Sequence, residues 1–296
     1  MEVKIREFET AGVRLRVDLI SRTQEDLIGD LSFIQYRLGG LKEVQDIKEI
    51  QPDIVWYADV EKIDISYNPN GKVLMLYGQL PPGDIQKLML AMIVRKLQEN
   101  GIYNFHSTAV NYKGKNILFM AGEENHGKTM SLIEAVRRGG AIIGTESVLV
   151  NEDLKVVEGS RDVFITKRVK GTERSDLPPA TAGVWKFFDK LPEWRWVEEF
   201  GKLDLIIIPD IDGNFDTFVK ELDTYEKMYQ TFICLTETYF MAHYMLSSKR
   251  PFPLIDYQEL RERRLRFVKK VADELDVYLI RAKNPQIIMD EIEKII

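Results

Sequence analysis

"FMAGEENHGKTMSLIEAVRRGG", residues 119–140, decides the fold. An apolar run leads into the spacing Gly-x-x-x-x-Gly-Lys-Thr, and a helical pattern follows that stops at Gly139-Gly140. Such a spacing lets successive backbone N–H groups curl around phosphate oxygens and hands them to a helix N-terminus. Gly122 permits the turn, Gly127 allows close approach of the backbone, Lys128 brings a point charge to the β and γ oxygens, and Thr129 offers a hydroxyl to magnesium. Asn125 tolerates left-handed geometry, and His126 lines the loop toward nucleotide or metal. The nucleotide-binding set is therefore Gly122, Asn125, His126, Gly127, Lys128, Thr129 and, next along the helix, Met130. Glu123 and Glu124 must point away from the phosphates. Average composition yields this pattern by chance in roughly one chain of this length in a hundred, and the strand-then-helix setting makes coincidence rarer still.

Upstream, "IYNFHSTAVNYKGKNILFMAG" reads as a hairpin turning at Lys113-Gly114, whose second strand enters the loop. The commonest phosphate-loop domains reach that strand through a helical crossover instead. Downstream, "AIIGTESVLV" reads as a strand, and "LDLIIIPDIDGN" as a buried strand ending in acids. Two or three helices fill 214–275, followed by a strand "VYLIRA" and a closing helix "NPQIIMDEIEKII". The first hundred residues read as strands with one or two helices. "SRTQEDLIGDLSFIQYRL" is a short helix candidate. "PPGDIQKLMLAMIVRKLQENG" opens with prolines and closes on Asn-Gly, with Ile85, Leu88, Met89, Met92 and Ile93 on one face as core. The reading is thus an α/β protein, with an α+β region at 1–100 and a phosphate-loop domain at 101–296.

The chain has 296 residues, 45% of them hydrophobic and 30% charged, with a net charge of −6. That balance argues against a nucleic-acid or anionic-membrane surface. "LMLAMIV" (88–94) and "LIIIP" (205–209) are too short to cross a bilayer, and the N-terminal stretch has no export signal, so the expected location is the cytoplasm. A single cysteine, Cys234, excludes an intramolecular disulfide framework and a multi-cysteine zinc site. Oligomeric state is not legible. Among other features, "GTERSDLPPATAG" (171–183) reads as a flexible segment. Arg161, Lys167, Arg168, Lys170 and Arg174 form a basic cluster, and "WKFFDKLPEWRW" (185–196) an aromatic one.

Taken together, residues 105–150 resemble the catalytic core of HPr kinase/phosphorylase and its HPr-kinase-like relatives, in the phosphoenolpyruvate carboxykinase-like nucleotide-binding superfamily. The matching elements are His106-Ser107, the turn at Gly114, Gly122 to Thr129, Arg138-Gly139 and Gly144-Thr145-Glu146. The resemblance implies a mixed sheet with flanking helices, a magnesium cofactor, and ATP or another nucleoside phosphate as donor. It also implies transfer to a hydroxyl on a small molecule or a protein, with His106, Lys128 and Glu146 as catalytic residues and Thr129 and Glu146 as magnesium anchors. The family's paired aspartates are replaced by Thr145-Glu146. Nothing after residue 150 matches the second signature of the HPr enzymes, so HPr itself is not the expected acceptor.

Two other readings stand beside this one. With the first family carboxylate gone, the chain reads as a nucleotide-binding regulatory module without turnover. Asp210, ending "LIIIPD", reads as the acid of a conventional phosphate-loop NTPase. Of the three histidines, His106 is the expected proton acceptor or orienter, while His243 is expected to pack within a helix.

Overall fold

A computed structural model describes residues 2–48, 51–121, 126–162, 164–165, 186–187, 194–245 and 252–296, the side chains of 164–165, 186–187 and 237–245 excepted. The protein is mixed α/β, built on two six-stranded mixed sheets.

The first sheet comes from β1 (Glu2–Thr10), β2 (Val13–Ser21), β3 (Lys42–Val44), β4 (Ile54–Tyr57), β5 (Asp64–Asn68) and β6 (Val73–Tyr77), in the order β3-β1-β2-β4-β6-β5. Strand β2 alternates buried and half-buried residues along its length, so Val13, Leu15, Val17 and Leu19 line one face. The helix expected within 21–38 shrinks to α1 (Ser32–Arg37), with Leu31 at its N-cap and no side-chain cap. The next helix, α2 (Pro82–Glu99), packs on that first sheet and is covered on its other sides as well. Leu88 through Val94 are all buried, which explains an apolar run with no polar face.

Past α2, β7 (Ile102–Phe105), β8 (Ser107–Tyr112), β9 (Lys115–Met120), α3 (Lys128–Arg137), β10 (Ala141–Gly144), β11 (Val148–Asn151) and β12 (Val156–Gly159) follow. Two short strands, β13 (Phe164–Ile165) and β14 (Lys186–Phe187), pair with each other. The rest is β15 (Leu205–Ile211), β16 (Phe218–Glu221), α4 (Thr224–Met245), α5 (Gln258–Glu274), β17 (Asp276–Ala282) and α6 (Pro285–Ile295).

The second six-stranded sheet has the order β10-β8-β9-β15-β17-β16. Strands β9, β15 and β17 run parallel, and β8 enters antiparallel through the expected hairpin. Its two turn residues, Lys113 and Gly114, both have positive φ (50° and 80°), the geometry of a tight primed hairpin turn. Leu205 and Ile207 face α3 and α6, whereas Ile206 and Ile208 face α4 and α5. A strand buried on both faces has no reason to alternate, hence the unbroken "LIII".

The segment 214–275 holds two helices and an edge strand, β16, that the sequence reading did not separate. Its four residues are all exposed, so no hydrophobic alternation marks them. A larger difference concerns "AIIGTESVLV". It is two strands, not one: β10 lies in the six-stranded sheet and β11 in a three-stranded sheet of order β12-β11-β7. The chain likewise changes sheets between β7 and β8. Among the described residues, no helix is long and apolar enough to cross a membrane.

Candidate functional site

Strand β9 ends at Met120 and α3 opens at Lys128, so the glycine-rich stretch joins a strand to a helix N-terminus. Gly122 and Asn125, with Glu123 and Glu124, lie outside the described residues. Gly127 precedes α3 with φ 104°, and a Cβ there would lie 2.6 Å from the Ile211 side chain. Left-handed backbone and lack of space each demand glycine. The Ile211 amide donates to the His126 carbonyl at 3.1 Å, which ties the end of the loop to the end of β15.

Lys128 is buried, an unusual place for lysine unless charge or ligand compensates it. Its carbonyl accepts the Thr108 hydroxyl at 3.2 Å, fixing the start of α3 against β8. Thr129 is half-buried. Met130 differs from the other loop residues: its side chain packs in the core beneath α3, leaving only its backbone for a ligand.

His106 and Glu146 sit at the two places where the chain changes sheets. His106 is the single residue between β7 and β8, and Thr145 to Ser147 join β10 to β11. The Ser107 amide donates to the Glu146 carbonyl at 3.2 Å, so the crossings lie side by side. There His106 Nε2 meets Glu146 Oε1 at 3.0 Å, with both residues buried. The Cys234 thiol donates to the His106 carbonyl at 3.5 Å. Burial by itself would raise the Glu146 pKa. The hydrogen bond and charge of His106, the Tyr36 hydroxyl and the Lys128 charge outweigh it and hold the carboxyl below its ordinary range. Glu146 is therefore ionised near neutrality, and one of the groups acting on it is the loop lysine.

Thr145, the residue before Glu146, is wholly buried. Its hydroxyl lies 2.9 Å from the Ser160 carbonyl and 2.6 Å from that of Asp162. The Ser160 hydroxyl in turn accepts the amides of Glu146 and Ser147, each at 2.9 Å. Position 145 thus has a structural role, because two backbone acceptors face it and a carboxylate there would have no proton to give them.

Asp210 occupies the end of β15, the parallel neighbour of the strand that feeds the loop. Arg281 Nε donates to its Oδ2 at 2.7 Å, and His126 Nδ1 stands 4.0 Å from Oδ1. The rival acid is therefore also at the loop, on the side of His126.

Tyr36 was not among the expected site residues. It comes from α1, far away in sequence, and nothing in "SFIQYR" marks it. Asn104 was likewise unmarked. Its side chain accepts the Ser147 hydroxyl at 2.5 Å and donates to the Arg37 carbonyl at 3.5 Å, so it clamps α1 beside Glu146. Of the basic cluster, Arg161 lies with its guanidinium 5.4 Å from the Trp196 ring, and the other four lie outside the described residues. Trp194 and Trp196 meet edge-on at 6.4 Å against the core under α3. The side chains at 185–193 of the aromatic stretch, the segment 171–183 and the His243 side chain are outside what is described.

Oxygen donors such as the Thr129 hydroxyl and the Glu146 carboxylate suit a hard cation like magnesium, which keeps several waters and takes its other ligands from phosphates. Among the described residues no three His, Cys, Asp or Glu side chains converge as a ready-made metal cage. No protein-family model matches this sequence, and no curated protein matches it either.

Proposed function

We propose that the protein is a magnesium- and nucleotide-dependent phosphotransferase with an HPr-kinase-like, phosphoenolpyruvate carboxykinase-like core. One observation carries the reading: the buried His106–Glu146 pair, 3.0 Å apart, lies within the field of the buried Lys128, the residue that opens α3 after the glycine-bearing stretch. The antiparallel hairpin leading into the loop supports the same superfamily.

In this reading the loop amides and Lys128 hold the polyphosphate, and Thr129 and Glu146 would hold magnesium, which supplies charge neutralisation at the β and γ oxygens. The acceptor hydroxyl oxygen bonds to the γ-phosphorus while the bond from that phosphorus to the bridging oxygen breaks, leaving its electron pair on the nucleoside diphosphate. The hydroxyl proton passes to His106. Glu146 orients that imidazole and stabilises its charged form, and one carboxylate has lone pairs enough to face a hydrated cation as well.

Calorimetry with magnesium and ATP tests the first half. Binding is expected in the wild type and is lost in Lys128→Ala; no affinity for any nucleotide would remove the proposal. Acceptor-stimulated turnover tests the second half, with His106→Ala expected to cost roughly 10²–10⁴-fold in rate. A second reading, a phosphate-loop NTPase, draws on the position of Asp210 beside His126. It predicts acceptor-independent hydrolysis that Asp210→Asn abolishes and Glu146→Gln spares. Nucleotide binding without turnover under every acceptor would mark a regulatory module.

A further inference from the structure

Asp210, Arg281 and Phe218 form one row across the second six-stranded sheet. Asp210 stands opposite Arg281 where β15 pairs with β17, and Arg281 stands opposite Phe218 where β17 pairs with β16. Side chains at directly opposed positions share a face of the sheet, and the Arg281–Asp210 bond at 2.7 Å joins the first two. The row lies toward the carboxyl ends of β15 and β17, the side on which β9 passes into the glycine-bearing stretch. In open α/β sheets that is the side on which ligands bind. The row begins at the loop, where His126 Nδ1 is 4.0 Å from Asp210. It then leads away from the loop by about 4.8 Å per strand.

Two aromatic rings gather on the guanidinium at the outer part of this row. Phe215, in the turn after β15, has its ring centroid 4.8 Å from Arg281 Cζ, and Phe218 approaches from β16. Yet 53% of Phe215 and 48% of Phe218 remain exposed. One exposed apolar side chain needs no reason, but two phenyl rings converging beside a candidate phosphate loop do. The turn that presents Phe215 is held in place. The Asp212 amide donates to the Ala282 carbonyl at 2.9 Å, and the Asp212 carboxylate accepts the Asn214 amide at 2.9 Å. A half-open ring fixed by a guanidinium and a bonded turn is a preformed stacking surface.

We infer that Phe215 and Phe218, gathered around Arg281, are the platform on which the base of the nucleotide stacks. The inference rests on the nucleotide-binding half of the phosphotransferase reading. The polyphosphate is held at the start of α3, and the row from Asp210 to Phe218 gives the direction from phosphates to base. Flat heterocycles suit such a surface, because every base has a π face to lay on it. Neither ring touches the transferred phosphoryl group, so the two residues contribute to binding and not to the chemical step.

The experiment is calorimetry on the full chain with two magnesium-loaded ligands. One is ATP, and the other is tripolyphosphate, which offers the same phosphates without sugar or base. The wild type should bind ATP more tightly than tripolyphosphate. Replacing both rings, Phe215→Ala with Phe218→Ala, should weaken ATP roughly 5- to 150-fold, the usual worth of base stacking, and leave tripolyphosphate unchanged. Since both rings are exposed, their loss empties no core cavity. Val219→Ala is the control, because Val219 is exposed on the same edge strand but points to its other face. It should leave both affinities as they are. The inference is overturned if the double variant binds ATP like wild type or loses tripolyphosphate in the same proportion. It is also overturned if Val219→Ala weakens ATP as much, or if the wild type binds ATP no more tightly than tripolyphosphate. In each of those cases tripolyphosphate still reports a working phosphate loop. If the wild type binds neither ligand, the phosphotransferase reading falls and the inference with it.

Discussion

At the scale of single residues, Gly127 and Ser160 set the limits within which the site can vary. Gly127→Ala would place a methyl group 2.6 Å from Ile211 on a backbone with φ 104°. Left-handed strain alone costs about 1–3 kcal/mol, so urea denaturation should show at least that loss. Shortening Ile211 to alanine in the same chain should recover only the steric part. Ser160 accepts two amides beside Glu146, and Ser160→Ala leaves both without their acceptor. A loss of about 1–3 kcal/mol is expected, read by the same denaturation. Since the Glu146 amide is one of the two, the proposed phosphotransferase activity should fall as well. Unchanged stability would mean that water replaces the hydroxyl. The residues at 126–129 stand out in the sequence because Gly-x-x-x-x-Gly-Lys-Thr is the spacing a phosphate cradle would need. Ser160 does not, since a hydroxyl serving two amides has no spacing rule.

At the scale of elements, α6 and the hairpin turn are joined through Glu293. It accepts from Tyr112 at 2.7 Å, Lys113 at 2.8 Å and Arg138 at 2.9 Å, connecting α6 to the β8–β9 hairpin and the end of α3. Bonds from Lys113, Tyr112 and Arg138 hold its carboxyl down at about 2, and burial together with Glu293 pushes Tyr112 up to about 12. A depressed carboxyl stabilises the fold above the unfolded carboxylate pKa, and that contribution fades as pH falls through the folded value. The melting-temperature gap between wild type and Glu293→Gln should therefore be constant above about pH 5 and close progressively toward pH 2. A gap that widens on acidification would contradict the assignment. At the opposite end of α6, the Asn284 side chain accepts the Ile287 amide at 2.9 Å. Asn284→Ala should cost about 1 kcal/mol in thermal or chemical denaturation. The Asn-Pro opening and the isoleucine spacing made this helix readable from sequence. Strand β16 was unreadable, because it has neither alternation nor a buried residue to betray it.

At the scale of the whole molecule, the two sheets are joined by buried polar contacts as well as by apolar packing. Arg264 in α5 donates to Gln98 in α2 at 3.0 Å and pairs with Asp256 at 3.2 Å, with arginine and aspartate both buried. Removing one partner strands a buried charge, so Arg264→Ala should destabilise the chain by about 3–5 kcal/mol, measured by denaturant midpoint. Phe252 and Ile255 join the core of the first sheet from late in the chain, and Leu149 joins it from β11. Through α1 the first sheet also reaches Glu146, by way of Tyr36. If the proposed phosphotransferase reading holds, Tyr36→Phe should leave nucleotide affinity intact and lower acceptor-stimulated turnover, because a carboxylate that loses a donor orients His106 less firmly. An unaltered rate would reduce the link between the two sheets to packing alone.

Sequence by itself determined the loop between strand and helix, the hairpin that precedes it, the buried parallel strand at 205–211 and the central helix. Each of these follows from local rules: glycine where φ is positive, apolar residues at helical or two-sided strand spacing, turn chemistry at fixed offsets. Tertiary structure alone decided that His106 and Glu146 face each other, that Thr145 is a buried hydrogen-bond donor, and that Tyr36 reaches Glu146 from the distant helix α1. The physical reason is that a change of sheet, like a contact across more than a hundred residues, depends on which surfaces are buried together. No periodicity along the chain encodes that choice.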